Sequence, residues 1–356
     1  MRIFVRQIFF LCVVLFVGLV NAGSDRQNGT VGALELLIPP DASGAALGGN
    51  GVANMYGVNA IHWNPAGIAL GGRFVEVLFS QLDYYADIHL NYVALRSSLS
   101  HFGNFAFGLK RLDFGDIPVT TEEAPDGTGG LFSPGYTTLS LTYAASLLDR
   151  LQMGFSFKYI SESIATVQAT GFAIDGGVQY QINRHLRLGI AMRNWGPDMR
   201  FNGAGLNRKV YLPGNLEDPI SDPEALRIVA AKFEIPTVVD FGLSWNVWAY
   251  DNHRVTLTST FQNQHQGWDR LGIGAIWEVQ LSRGFVQLKS GFQAAYNPSH
   301  ESFHIHDEQS VMGPAIGANI RMPFVSNMQF TFSYTYAWTE YFENIHWISF
   351  SLHLNR

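Results

Sequence analysis

Cysteine is almost absent from this 356-residue chain: Cys12 is the only one, and it lies in an apolar stretch close to the start. Everything after it is therefore without disulfides, thiolate metal sites or a catalytic thiol. Charge is scarce as well. Asp, Glu, Lys and Arg make up 15% of the residues, against roughly 25% in soluble domains. The formal net charge of −6 argues against a nucleic-acid partner, whose phosphates need a basic surface. Long apolar runs are missing beyond the first 22 residues: no later segment offers 18 consecutive apolar side chains, which excludes helical membrane spans.

What is present is unusual for a soluble enzyme. Aromatics reach 13%, there are 36 glycines, and mean hydropathy is only +0.05. Residues 1–22 read as a cleaved signal peptide. Arg2 and Arg6 form its positive region, Ile8 to Val20 its apolar core, and Val20-Asn21-Ala22 its small-residue cleavage site. Phe10 and Leu11 before Cys12 are too large for a lipoprotein signal.

The periodicity of the remainder is two. In Leu151–Tyr159, the residues Leu151, Met153, Phe155, Phe157 and Tyr159 alternate with Gln152, Gly154, Ser156 and Lys158. Successive strand side chains point to opposite faces, so the segment has one oily and one polar face. The same alternation recurs at Met328–Tyr336 and in the closing segment, where Ile348, Phe350, Leu352 and Leu354 oppose Ser349, Ser351 and His353. A soluble β-sandwich would also alternate. These strands are longer than its usual ones, however, and match the roughly 9–11 residues of a transmembrane strand. Trp195, Trp245, Trp248, Trp268 and Trp338 fall near strand ends, where interfacial girdles lie.

Fourteen strands are predicted, beginning near Phe74, Ile88, Phe105, Thr137, Leu151, Phe172, Leu186, Val238, Val255, Leu271, Phe285, Ala315, Met328 and Ile345. Connections after even-numbered strands are tight. The long ones, Asp113–Gly135, Ser161–Thr170, Gly196–Pro236 and Asn297–Met312, follow odd-numbered strands. Short turns at one end and long loops at the other mark an outer-membrane barrel. The fold class is thus all-β, a transmembrane antiparallel barrel of about 14 strands. With an even count, both ends of the barrel lie on the periplasmic side.

Fourteen strands enclose more space than side chains alone can fill, and the glycine- and alanine-rich stretch "DASGAALGGNGVANMYGVNAIHWNPAGIAL", Asp41–Leu70, is suited to fill it. It is too rich in glycine for a stable helix and too broken for a strand. Pro65 fixes its own φ and keeps Asn64 extended, while the Asn64 side chain can bond its own turn. The chain divides into a signal peptide (1–22), an N-terminal extension with a lumen hatch (23–72) and the barrel (73–356).

"LLIPPDASGAALGGNGVANMYGVNAIHWNPAGIA" resembles the N-terminal signature of the PorV/PorQ family of outer-membrane proteins. Leu47-Gly48-Gly49 stands where that family often has Met-Gly-Gly. Ala42-Ser43-Gly44-Ala45 stands where an arginine often sits, which weakens any role tied to that arginine. "FEIPTVVDFGLSW" (233–245) is similar to the family's Leu-Pro-Thr strand opening. "YFENIHWISFSLHL" (341–354) is similar to its final strand, with Glu343 replacing a glycine. The family is in turn similar to the FadL-like barrel superfamily of hydrophobic-compound channels. The resemblance implies that Trp63, Asn64, Pro65, Ala66 and Gly67 form a hatch motif and that Gly48, Gly49 and Gly51 are hatch glycines.

Two function classes follow from the resemblance. One is a protein-secretion component of the type IX kind, partnered by a translocon and binding secreted cargo proteins at the cell surface. The other is a channel passing hydrophobic small molecules, with a fatty acid or detergent-like ligand in the lumen. A structural barrel that recruits other envelope proteins is a third reading. Outer-membrane lipid is the common partner. A cargo-binding face should be apolar and exposed, whereas Gly196–Pro236 is fairly charged.

Other candidates are weaker. "NPSHESFHIHDEQ" brings His304 and His306 to one strand face, a pairing that can seed a metal site, although an exposed, solvated loop is the simpler reading. Ser349, Ser351 and His353 fall on the polar, inward face and read as lumen lining. Lys110, Lys158, Arg187, Arg193 and Lys289 also point inward, where they either attract anionic groups or solvate the lumen. "GLFSPG" lacks the Lys-Ser/Thr pair of a phosphate loop. No cofactor is implied, and no residue carries the pattern of a catalytic group.

Overall fold

The computed structural model describes residues 31–71, 74–99, 102–210, 224–264, 267–297, 302–304, 313–325, 327–339 and 343–355. The segment expected to be a signal peptide and most of the Asn297–Met312 loop, His306 included, lie outside the described residues.

Fourteen long strands carry the architecture. The first five are β1 (Val75–Asp83), β2 (His89–Ser98), β3 (Asn104–Asp113), β4 (Gly135–Leu148) and β5 (Leu151–Ile164). Then come β6 (Val167–Gln181), β7 (Leu186–Trp195), β8 (Val238–Tyr250), β9 (His253–Gln264) and β10 (Arg270–Leu281). The last are β11 (Gly284–Asn297), β12 (Ala315–Val325), β13 (Met328–Ala337) and β14 (Ile345–Leu354). Each pairs antiparallel with its neighbours in the chain, and β1 pairs β14 from Val75↔Leu354 to Asp83↔His346, which closes the sheet. Closure removes every free edge, as a sheet in hydrocarbon requires.

The alternation sorts the side chains as expected. Phe79, Phe155, Phe157, Ile273 and Phe350 are exposed on the outer face. Ser80, Ser156, Lys158 and Ser349, sequence neighbours of the four phenylalanines, are buried inside. Trp195, Trp245, Trp248 and Trp338 are exposed near strand ends, and His253 stacks on Trp277 with ring centroids 6.0 Å apart. Such aromatic groups sit at the hydrocarbon–water boundary, where one part is apolar and the other wet.

One predicted loop is absent. Ser161–Thr170 is not a connection: β5 and β6 remain paired up to Ile164↔Val167, leaving only Ala165 and Thr166 in the turn, with Ala165 at φ 50°. Glu162 and Ala169 still point inward as a cross-strand pair. Their outward neighbours Ser163, Gln168 and Thr170 are polar and exposed. The strands rise beyond the hydrocarbon there, so the oily face ends before the strand does and hydropathy no longer marks it.

The other long connections hold short paired segments. Ile117–Pro118 pairs Leu131–Phe132, Met199–Arg200 pairs Lys232–Phe233, Asn207–Val210 pairs Glu224–Arg227, and Ser302–His304 extends β11. All lie at the end opposite the two barrel termini, the extracellular end.

Replacing a lipid-facing aromatic with a charge tests this assignment of faces. Phe157→Arg should cost about 2–4 kcal/mol near the bilayer midplane, measured by reversible denaturant unfolding in liposomes. The same change at the extracellular Phe303 should cost little.

Candidate functional site

The lumen is occupied by the chain's own N-terminal segment. At the extracellular end Val31 forms a parallel bridge with Glu234 of the β7–β8 connection, and the Gly32 N–H donates to the Glu234 carbonyl at 3.1 Å. Ala33 and Leu36 pack there with Ile160, Ala169, Met199 and Ile235. The segment then descends to the periplasmic end, where Arg96 Nε of β2 donates to the Ile68 carbonyl at 2.9 Å. Ala42, Ala45, Leu47, Ala60, Asn64, Ala66 and Ile68 are fully buried along the way. Regular structure is limited to one α-helical turn (Ala42–Ala45) and the 3-10 turns Leu34–Leu37, Gly57–Ala60 and Pro65–Ala69.

A segment with so little internal hydrogen bonding leaves backbone groups that need partners, because a buried unpaired peptide group costs free energy comparable to a lost hydrogen bond. The barrel wall supplies them. Lys110 Nζ donates to the Glu35 carbonyl (2.6 Å), Trp347 Nε1 to Pro39 O (2.9 Å) and Thr335 Oγ1 to Ala42 O (2.6 Å). Gln179 Nε2 donates to both Val52 O and Met55 O at 3.1 Å. In return, the Ala42 N–H donates to Ser349 Oγ (2.9 Å) and the Val58 N–H to Glu76 Oε2 (2.7 Å). The inward cations are thus not solvating an open lumen. Lys110 and Lys289 hold the segment, while Lys158 and Arg193 pair with Asp175 (2.6 Å) and Asp240 (2.7 Å). Arg187 is half-buried and bonds Gln181.

The Trp-Asn-Pro-Ala-Gly box is the most tightly held part. Asn64 has extended backbone (φ −160°, ψ 111°) and caps the 3-10 turn, its Oδ1 accepting from the Ala66 N–H at 3.0 Å, with Pro65 at the first position. Its Nδ2 faces three carbonyls: Val52 (3.0 Å) within the segment, and Val178 (3.1 Å) and Ile190 (3.3 Å) in the wall. Val178 and Ile190 are directly opposed partners in the β6–β7 ladder. One side chain therefore ties the segment to two strands.

Trp63 is buried, its Nε1–H donating to Asp41 Oδ1 at 3.2 Å, and its ring lies against Gly44 and Gly51. Gly67 faces the Met55 carbonyl, leaving no room for a Cβ. Gly48 (φ 58°) and Gly49 (φ 92°) sit in the left-handed region, where L side chains are strained. Gly48 also touches the backbone of Gly291.

The wall has matching gaps that the sequence reading passed over. A Cβ on Gly177 would come within 2.0 Å of Asn64 Oδ1, one on Gly189 within 2.4 Å of Val52 O, and one on Gly291 within 2.1 Å of Leu47 O. Gly154 meets Pro65 and Gly272 meets Asn50 in the same way. The signal was available, since glycine inside a strand often marks the close approach of another backbone.

Three buried ionisable groups in the segment are perturbed: burial raises the pKa of Glu35, and Asp41 and His62 are shifted as well. Asp41 caps the Ala42–Ala45 turn, its Oδ2 accepting from the Gly44 N–H at 2.8 Å. Burial nonetheless pushes its pKa up to about 6, against opposing help from Gly44, Trp63 and Lys289. His62 is held well below the usual imidazole range, first by burial and then by Arg193, Lys110 and Lys158. It therefore stays neutral, 3.4 Å from Arg193 Nη1. The histidine pair expected from the sequence falls outside the description: the side chains of His304 and His306 both lie outside the described residues.

The sequence model of the family described as type IX secretion system protein PorV matches residues 21–220. No curated protein matches the chain. Among solved structures, the CymD monoaromatic hydrocarbon channel is similar at 12% identity and TM-score 0.56, covering 90% of this chain and 98% of that one. The Pseudomonas putida toluene transporter TodX follows at 11% and 0.53, with 88% and 97% covered. A Pseudomonas aeruginosa FadL homologue gives 11% and 0.51, with 89% and 99% covered. At these identities the likeness shows the shared barrel fold alone.

Gly177→Val should leave a heat-modifiable, folded barrel but eject the Asn64 turn. Amide exchange of residues 47–70 should rise at least tenfold; unchanged protection would refute the close fit. Asp41 provides a pH test. Its pKa is raised on folding, so the stabilisation is complete below about pH 4 and is lost as pH rises through about 6. Protection of residues 41–49 should accordingly weaken between about pH 3 and 7, by about 3 kcal/mol at most. Asp41→Asn, which keeps an oxygen for the Gly44 N–H, should abolish the slope.

Proposed function

The chain belongs to the PorV family, and from that premise we propose that it is a component of a type IX-like secretion apparatus that binds exported proteins at the cell surface. The observation that carries this reading is the filled lumen. Residues 34–70 act as a fixed plug, bonded to β1, β2, β3, β6, β7, β11, β12, β13 and β14. Two gaps between plug and wall, among the described residues, are small, with volumes of about 50 and 30 Å³, and both carry lysines in their lining. A drug-sized apolar ligand needs a pocket of about 300–1,000 Å³ lined mostly by hydrophobic groups. Neither gap is such a conduit, and a barrel plugged in this way presents its function on its outer surfaces.

The extracellular end supports the same reading. Leu131, Leu226, Ile228, Val229 and Phe303 are exposed in the connections there, with Val229 at 73%. Apolar side chains held in water rather than lipid suit protein docking. The charged Gly196–Pro236 connection thus also presents apolar groups within its described part.

The second reading, uptake of hydrophobic small molecules, is favoured by the fold shared with hydrocarbon channels. It would require the Asn64 turn and its wall bonds to give way.

One experiment separates the two. The protein is extracted from its native outer membrane in mild detergent, and its co-purifying proteins and lipids are identified. Secreted proteins sharing one C-terminal domain, or a very large barrel, are expected. A clean monomer carrying only fatty acid or hydrocarbon would overturn the secretion reading in favour of uptake.

A further inference from the structure

The larger gap is a polar cavity at the periplasmic mouth. Its wall side comes from β1, β10, β11, β12, β13 and β14, and its other side from the plug residues Ser43, Asn54, Met55, Tyr56 and Asn59. Tyr56 is partly exposed, so the cavity faces the periplasm.

Its charges are unevenly matched. Glu76 is the one carboxylate in the lining, and it is already engaged: Oε2 accepts from the Val58 N–H at 2.7 Å, while Oε1 lies 3.7 Å from Arg96 Nη1 and 3.9 Å from His353 Nδ1. Lys289 is engaged too, its Nζ donating to Ser43 Oγ at 2.7 Å and Ser43 O at 3.2 Å. Arg321 differs. Only 8% exposed, its guanidinium lies 4.5 Å from the Phe285 ring centroid. Nε donates to Thr331 Oγ1 at 2.9 Å, and Nη2 lies 3.3 Å from His353 Nε2. These contacts use two of its five N–H groups. Among the described residues no carboxylate forms a salt bridge with Arg321.

A buried guanidinium without an anion is costly, and its planar fork is matched to the two oxygens of a carboxylate or phosphate. The cavity volume of about 50 Å³ has room for a few waters or for one small oxyanion.

We propose that this cavity binds a small oxyanion, a carboxylate or inorganic phosphate, in the fork of Arg321. The ligand enters from the periplasm past Tyr56 and bridges the wall to the plug. Arg321 supplies the charge and the paired donors, while the amides of Asn54 and Asn59 provide plug-side donors. The bound anion stabilises the closed plug. This inference is independent of what docks on the extracellular face.

The full-length barrel in detergent is titrated with sodium phosphate, and separately with sodium acetate, against chloride at constant ionic strength. Thermal unfolding and amide exchange of residues 50–59 are followed. A saturable rise in Tm and in protection with at least one anion is expected. The effect should persist in Arg184→Gln, an exposed-turn control, and be at least tenfold weaker in Arg321→Gln. Ser333→Leu, which fills the cavity and retains Arg321, should also abolish it and decides the matter if Arg321→Gln fails to fold. No saturable effect with either anion, or an equal effect in Ser333→Leu, would overturn the proposal.

Discussion

The structure depends on one constraint: a non-helical, non-strand segment at membrane depth must have its peptide groups hydrogen-bonded by something other than water. Irregular backbone at that depth is tolerated only when enclosed in protein. The barrel meets the requirement with a polar inner face whose members reach specific carbonyls and N–H groups between Glu35 and Ile68. The two parts are therefore complementary in a stricter sense than filler and container. Without the segment, the side chains of Gln179, Trp347 and Thr335 would lose their acceptors; without the barrel, the segment would have no reason to order.

Close approach and hydrogen bonding act together. Asn64 can reach the carbonyls of Val178 and Ile190 only because Gly177 and Gly189 flank them without side chains. Each direct bond is worth about 1 kcal/mol net, yet a buried donor or acceptor left without a partner costs up to about 3 kcal/mol. The asymmetry means the plug is held less by the sum of its bonds than by the penalty of breaking any of them. The buried pairs Lys158–Asp175 and Arg193–Asp240 behave similarly: they add little net stability while intact, and separating either is expensive. They fix one arrangement of the wall strands β5 to β8 on which the plug rests.

The two ends of the plug meet different surroundings. At the extracellular end it is joined by backbone pairing to the β7–β8 connection, through Val31 and Glu234. At the periplasmic end it borders the cavity lined by Arg321. The same continuous segment therefore reaches from the extracellular connections to the periplasmic end of the barrel.

The sequence by itself determined the barrel. Strict alternation, scarce charge and the parity of loop lengths located fourteen strands, because a strand with lipid on one side and a polar lumen on the other carries its environment residue by residue. It also marked Asp41–Leu70 as the lumen segment and Asn64 as its pivot, since Asn-Pro within a glycine-rich run has few other uses. Where the outward residues turn polar above the membrane, at Ser161–Thr170, that record stopped and the strand continued unseen. Only the tertiary structure decided which wall groups answer which plug groups. The partners of Asn64 lie 114 and 126 residues away, and nothing in a period-two pattern says which of many inward glycines a distant backbone will touch. The same holds for the inward cations: sequence placed Lys110, Lys158 and Lys289 in polar surroundings, but whether each meets a carbonyl, a carboxylate or a hydroxyl follows from how the strands stagger around the barrel.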